Sequence, residues 1–395
     1  MSKKFTISRT IWILSFVSLF TDVASEMLYP VMPVYLKTIG FSVLLIGILE
    51  GLAEAVAGLS KGYFGNLSDA NGIRMPFVRA GYFLSAVSKP MLSLFTNVYW
   101  VFASRTTDRL GKGIRTGARD ALLSDEATPE TKGRVFGLHR AFDTVGAVLG
   151  PLTALIFLYF YPGKYKLLFL LAFIPGILSI SGTFLIREKQ KKTIAVKPKP
   201  GFFSFLYYFK NGPADYRKLV AGLILFALFN SSDVFLLLKI KAAGYSDTTV
   251  IGTYILYNLV YAMASYPLGR LADQIGLKKV FIGGLLLFAI TYAGMGFNSN
   301  EYVFILLFII YGIYAAATEG VSKAWISNIS KKENTATAIG GYTAFQSIAS
   351  LLASSVAGFI WYEYGSLYVF LLSAIVAVLA AVYLTYFARN RLSVS

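Results

Sequence analysis

Asp22 and Glu26 stand one helical turn apart inside an apolar run, in the stretch Thr21-Asp22-Val23-Ala24-Ser25-Glu26. In a helix starting near residue 10, Asp22 lies ~18 Å along the axis, and Glu26 follows on the same face. If that run crosses a bilayer, an ionised carboxylate there costs about 2.5–3.5 kcal/mol. It must face water, a cation or a partner, or carry a proton. Desolvation favours the neutral form, so such a pair can take up and release a proton. The competing reading is a fixed ion pair that only holds helices together, and perturbed titration accompanies both. Glu50 and Glu54 repeat the i, i+4 spacing further on, with Lys61 after them.

Arg105, Arg109, Lys112, Arg115 and Arg119 are spaced 4, 3, 3 and 4 residues apart. On a helix they cover about a third of the circumference. Lipid contact along that face is prohibitive, so it must look into protein or a wet cavity. Two roles remain open. The stripe can neutralise Asp22, Glu26, Glu50, Glu54 and Asp143, or part of it can bind an anionic substrate through guanidinium forks.

The second half of the chain is chemically quieter. Its candidates are Asn230, Ser231, Ser232 and Asp233, then Asn258, then Glu319 with Lys323 at i, i+4. Tyr254, Tyr257 and Tyr261 recur at helical spacing and either line a cavity for aromatic or cationic cargo or pack as an ordinary helix face. With no cysteine and only His139, thiolate or histidine-cluster metal sites are not expected. No Gly-x-Ser-x-Gly and no Gly-x-x-x-x-Gly-Lys loop occurs, so neither an enzyme nor a nucleotide-driven pump is expected, and no cofactor.

The elements that must carry these residues are apolar. The 395 residues are 56% hydrophobic and 14% charged, against about 25% charged in soluble domains. Twelve runs are long enough to span a ~30 Å hydrocarbon core as helices. They lie near 10–36, 42–64, 76–95, 98–122, 134–160, 166–186, 218–240, 247–268, 279–297, 301–326, 338–362 and 366–388. Strand-like alternation is missing, which argues against a β-barrel. The basic start resembles the n-region of a signal peptide, but the apolar run after it is too long and carries Asp22 and Glu26, so it reads as a retained first helix.

A net charge of +17 would suggest nucleic acid for a soluble chain. Here the lysines and arginines sort by loop, into the first residues, the segment 187–217 and the end. The positive-inside rule then places both termini and that segment in the cytoplasm, which requires an even number of spans. Lipid headgroups are a second partner for the same charge. Lys-Pro-Lys-Pro-Gly at 197–201 marks a boundary, and the aromatic stretch 202–209 suits a short helix on the membrane surface.

The chain also repeats itself. Gly65, Leu67, Asp69, Gly72 and Arg74 match Gly269, Leu271, Asp273, Gly276 and Lys278 at a constant offset of 204 (269 against 65). Residues 136–142 line up with 339–345 at offset 203. The expected organisation is a six-helix half at 1–186, a linker at 187–217 and a second half at 218–395.

The doubled Gly-x-x-x-Asp-x-x-Gly-x-Arg/Lys pattern, in loops after the second and eighth spans, resembles motif A of the major facilitator superfamily of secondary transporters. Arg109-x-x-Lys112-Gly113 resembles the core of its motif B, and Gly146-x-x-x-Gly150-Pro151 resembles motif C, which marks antiporters. The resemblance implies an all-α membrane protein of twelve helices in two halves that rock about a central cavity. Gly65, Asp69, Gly72 and Arg74, with Gly269, Asp273, Gly276 and Lys278, would gate it. Asp22, Glu26, Arg109 and Asp143 would couple protons. Glu50, Glu54, Arg105, Asn230, Asp233, Tyr254, Tyr257, Asn258 and Glu319 would border the substrate.

The expected function is a proton-coupled carrier of a small molecule, read as an efflux antiporter. The alternatives are a carrier of an organic anion or of a divalent metal ion, with Asp22, Asn230 and Asp233 as oxygen ligands. A receptor or enzyme on the same scaffold is the remaining class. The expected partners are a small-molecule substrate, protons and the bilayer, with no nucleic acid, and the expected form is a monomer spanning the cell membrane many times.

Overall fold

A computed structural model of the chain describes residues 7–41, 43–188, 201, 203–245 and 247–387. Among them every regular element is helical. The first helices are α1 (Arg9–Glu26), α2 (Met32–Thr38), α3 (Val43–Asn71), α4 (Met75–Leu94), α5 (Val98–Asp125), α6 (Lys132–Phe160), α7 (Tyr165–Leu171) and α8 (Phe173–Phe184). Then come α9 (Ser204–Asn211), α10 (Ala214–Ala227), α11 (Val234–Ala242), α12 (Asp247–Ile275), α13 (Leu277–Phe297), α14 (Glu301–Ile329), α15 (Thr335–Tyr364) and α16 (Ser366–Phe387).

Six stretches among the described residues are long and apolar enough to cross a membrane: 132–160, 165–184, 277–297, 301–329, 332–364 and 366–386. Other helices are interrupted or carry charge along their length. The expected span 10–36 breaks after Glu26, because Pro30 cannot donate to the carbonyl of residue 26 and its ring excludes that turn. The expected span 218–240 breaks between Ala227 and Val234. There Asn230, Ser231, Ser232 and Asp233 offer side chains that compete with the backbone ladder. Asn230 stands one repeat length after Glu26, at offset 204.

The repeated polar stretches differ from the sequence expectation of open loops. α3 continues to Asn71 and α12 to Ile275. Only Gly72 and Gly276 take left-handed backbone, at φ 65° and 105°. Gly65 and Gly269 lie inside helices, so their smallness serves close approach and not a turn. A Cβ on Gly65 would strike the carbonyl of Ala336, and one on Gly269 the carbonyl of Gly133.

The contacts divide the chain into two compact units. One holds 1–126, 142–208 and 331–344, and the other 127–141, 209–330 and 345–395. Two of the dividing points inside helices fall on an Ala-Phe step, Ala141-Phe142 in α6 and Ala344-Phe345 in α15. Those steps are equivalent in the repeat.

In the first unit α5 packs on α3 and α4, and α8 on α1 and α4. Gly81 and Gly111 meet where α4 crosses α5, with room at each for only a hydrogen: an added Cβ would lie 2.6 Å from the other's carbonyl oxygen. Met27, Leu28, Tyr35, Leu92, Val101, Leu168 and Phe169 form an apolar core under the α1–α2 break. α9 rests on α3, where Phe205 fills the space left by Gly62. In the second unit α13 packs on α14 and α16, α12 on α14, and α10 on α16. The basic residues at 191–199 and 389–391 lie outside the described residues.

Candidate functional site

Chemistry-bearing side chains gather in one cluster in each unit. In the first, Asp22 and Glu26 occupy the last turns of α1, just before its break, both half-buried. The glycines of α6 bring that helix against them. A Cβ on Gly146 would lie 2.9 Å from the Asp22 Cβ, and one on Gly150 would lie 2.8 Å from the Glu26 Cβ and 2.8 Å from the Met27 nitrogen. So the Gly146–Gly150 pair makes the seat for the two carboxylates. Asp143, one turn earlier on α6, lies within electrostatic range of Asp22, as do Lys112 and Arg115. Glu26 feels Lys112, Arg109 and Lys89.

The basic stripe of α5 finds partners that sequence reasoning only partly anticipated. Arg109 pairs with Glu54 of α3 at 3.2 Å. Arg119 pairs with its neighbour Asp120 at 2.9 Å and donates to Ser18 Oγ at 3.0 Å. Arg115 lies over the Tyr82 ring, 4.7 Å from its centroid, and donates to Ser85 Oγ at 2.8 Å. Ser85 in turn donates to Asp108 at 2.8 Å. Lys89 of α4 donates to the same carboxylate at 2.6 Å and to Ser25 of α1 at 3.1 Å. A buried polar ladder thus runs from α5 through α4 to the residue between Asp22 and Glu26. Arg105 is buried on the same face of α5. Glu50 lies on α3, outside the residues whose side chains are described.

Lys89, Asp108 and Asp120 were missed in the sequence. The signal was available: each is an ionisable residue inside an expected span, and such a residue is a candidate by default. The basic stripe drew attention from the acids on its own helix.

In the second unit Asp233 sits at the α10–α11 break and accepts from the Tyr311 hydroxyl at 2.6 Å. Asn230 donates to the Tyr314 hydroxyl at 3.1 Å. Tyr257 lies stacked on Tyr311, with centroids 5.0 Å apart, and is buried, as is Tyr261. Tyr254 lies next along α12, its ring tilted against Tyr257. Tyr257 is therefore the member of the stripe that packs on a tyrosine of α14. Asn258 is buried and donates to the Tyr254 carbonyl. Glu319 faces Arg140 at 3.8 Å, and Arg140 also donates to the Tyr261 hydroxyl. Tyr311 and Tyr314 had no sequence signal apart from their aromatic character.

The two repeat copies hold their aspartates in the same way and their bases differently. Asp69 accepts from the Thr337 N–H at 2.6 Å and its hydroxyl at 2.7 Å, at the start of α15. Asp273 accepts from the N–H groups of Gly133 at 2.7 Å and Arg134 at 3.0 Å, at the start of α6. A carboxylate at a helix N-terminus meets unsatisfied N–H groups and the positive end of the dipole. Asp69 also pairs with Arg74 of its own copy. Asp273 pairs with Arg134 at 2.9 Å, while Lys278 donates to the Thr385 carbonyl at 2.7 Å. Glu188 accepts from the N–H groups of Arg74 and Met75, capping α4.

Comparison with known proteins identifies the family. The profile of the Major Facilitator Superfamily matches residues 14–256 and 240–394. An uncharacterized MFS-type transporter of Methanocaldococcus jannaschii is 33% identical over 361 residues, covering 90% of this chain and 89% of the relative. The multidrug resistance protein MdtG of Klebsiella pneumoniae is 23% identical, covering 94% of this chain and 91% of its own length. The crystal structure of the human organic anion transporter MFSD10 shares the fold, with TM-score 0.74 and 14% identity over 95% of this chain and 99% of that one.

Proposed function

We propose that this chain, which belongs to the Major Facilitator Superfamily, is a proton-coupled secondary transporter that exports a small molecule by alternating access. It is a multi-pass protein of the cell membrane. In this reading twelve spans form two six-helix halves, 1–186 and 218–395, joined by a cytoplasmic segment, with both termini in the cytoplasm and one chain as the working unit.

The observation that carries the reading is the seating of Asp22 and Glu26 on the glycine face of α6, immediately before the break in α1. Interrupted helices at corresponding places in two repeats are where transporters of this kind bind substrate and coupling ions. Protonation of either carboxylate removes its attraction to the Lys112, Arg109 and Arg115 charges of α5. It thereby frees α1 to shift against α6. Asp143 sets the charge of the same pocket. Export is favoured by the likeness to a protein named for multidrug resistance.

The gate in this reading is Asp69 with Arg74 and Asp273 with Lys278 on the repeated stretches, where Gly72 and Gly276 allow the turns and Gly65 and Gly269 allow close helix approach. Asn230, Asp233, Tyr254, Tyr257, Asn258, Glu319, Glu50, Glu54 and Arg105 are the residues this reading assigns to the substrate. An organic anion carrier is the second reading, favoured by the exposed Lys112 on the basic stripe.

The test is transport in proteoliposomes under an imposed pH gradient. Ethidium serves as the cationic probe and carboxyfluorescein as the anionic one. Gradient-driven ethidium movement that is lost in Glu26→Gln and Asp22→Asn, with folding retained, is expected. Full transport in both variants removes α1 from the coupling scheme. Carboxyfluorescein movement alone selects the anion carrier.

A further inference from the structure

A groove of about 610 Å³ opens on the first unit, away from the charged cluster. Its walls are the α1–α2 break and the far end of α6, through Pro30, Val31, Pro151, Leu155 and Tyr159, with Tyr165 at the start of α7. No charged side chain lines it. Its volume lies within the ~300–1,000 Å³ typical of small-molecule sites. The floor is the buried core that includes Val31 and Ala154. The rim is strongly exposed, with Leu155 65% and Tyr159 79% accessible. In a protein of the cell membrane that exposure is to hydrocarbon, so the groove's surroundings are acyl chains.

Two positive charges lie next to the groove in sequence. Lys164 and Lys166 flank the lining residue Tyr165, and both are exposed. Tyr159, Phe160, Tyr161 and Tyr165 surround them with rings of the kind found at headgroup level. An apolar slot next to two lysines and a belt of tyrosines has the polarity of one phospholipid molecule.

We propose that this groove binds an anionic phospholipid, one acyl chain lying between the α1–α2 break and α6 and the phosphate meeting Lys164 and Lys166. Proline shapes both walls. Pro30 opens the α1–α2 break, and Pro151 inside α6 removes an intrahelical hydrogen bond opposite it. The α1–α2 wall cannot close the gap by continuing as regular helix, and α6 continues past Pro151 with one intrahelical bond fewer. The lipid fills space beside the hinge that follows Glu26. The site does not depend on whether transport is coupled to protons.

The experiment uses the full chain purified in detergent and a phosphatidylglycerol carrying a photoreactive diazirine in one acyl chain, with labelled residues mapped by peptide sequencing. Labelling should concentrate on 151–165. Unlabelled phosphatidylglycerol should compete roughly thirtyfold better than phosphatidylcholine with the same chains, the difference expected from two surface lysines. Lys164→Gln with Lys166→Gln should erase that preference and leave labelling by a phosphatidylcholine probe intact. Leu155→Trp, an apolar change at an exposed position, should block labelling by both while melting at the wild-type temperature.

Equal labelling of the groove and of the exposed face of α16 would reduce the groove to ordinary bilayer contact and overturn the proposal. An unchanged preference in the double lysine variant overturns the headgroup assignment. Labelling of 151–165 by ethidium azide with none by the lipid makes the groove an entrance for cargo, which also overturns it.

Discussion

Lys89 on α4 and Asp108 on α5 form a buried ion pair of 2.6 Å, with the lysine side chain 2% exposed. The pair is also tied to α1, because Lys89 donates to Ser25 between the two carboxylates of that helix. Removing one partner of a buried pair leaves a charge that nothing compensates, at a cost of about 3–5 kcal/mol. Lys89→Met should therefore lower thermal stability sharply in detergent. Lys89→Met with Asp108→Asn should recover much of the loss, since two neutral groups replace two charges. Melting curves of the single and double variants check both.

Asp69 holds the first turn of α15 through Thr337. Asp69→Ala removes a helix cap and leaves Arg74 without this carboxylate. A loss of about 3–5 kcal/mol is expected, because Arg74 is then a buried charge without its partner and the cap is lost as well. Thr337→Val keeps the backbone bond and should cost less. Unfolding midpoints of the two variants, ranked against each other, check the assignment.

Asp273 has the corresponding role at the start of α6, but its base is Arg134 and not Lys278. Arg134→Gln should therefore cost more than Lys278→Gln. The Lys278 ammonium donates to the Thr385 carbonyl near the end of α16, a contact at an exposed position that is worth little. Equal effects of the two changes on melting temperature would contradict the observed partnership.

Gly150 leaves no room for a side chain beside Glu26 and Met27. Gly150→Val should force α6 away from α1, with an overpacking cost of about 1–3 kcal/mol. Gradient-driven transport should fall further than the stability loss accounts for, because the seat of Glu26 moves. Measuring transport at a temperature well below the variant's melting point separates the two effects.

Tyr311 is the donor that the Asp233 carboxylate holds at the α10–α11 break. Tyr311→Phe keeps the ring stack with Tyr257 and deletes only the hydroxyl. The partly buried carboxylate then loses a hydrogen bond worth about 1.5–3 kcal/mol to a charged group. Thermal unfolding reports the loss, and Asp233→Asn in the same background should return part of it.

Helical class, membrane character and the internal repeat were all legible in the residues. Hydropathy is a sum of per-residue transfer free energies, so a long apolar run declares itself without knowledge of its neighbours. The repeat was visible because Gly72 and Gly276 each need left-handed backbone, and Gly65 and Gly269 each meet another backbone, so substitution is costly at all four. The carboxylates of α1 and the stripe of α5 stood out because charge is expensive in hydrocarbon wherever it occurs.

Partnership was not legible. Sequence reasoning left the stripe of α5 open among Asp22, Glu26, Glu50, Glu54 and Asp143, and the structure pairs Arg109 with Glu54. It grouped Tyr254, Tyr257 and Tyr261 as one stripe, and the structure buries Tyr257 and Tyr261, with Tyr257 stacked on Tyr311. It read the repeated motif as two open loops, and the structure extends helices through most of each. Which charge meets which depends on distances between helices far apart along the chain. Those distances are set by where Gly81, Gly111, Gly146 and Gly150 let helices touch. The sequence alone determined that this chain must cross a membrane as helices and must shelter its charges there. Only the tertiary structure decided which charges shelter one another, because a pairing energy falls off over a few ångströms and no one-dimensional pattern records such a distance.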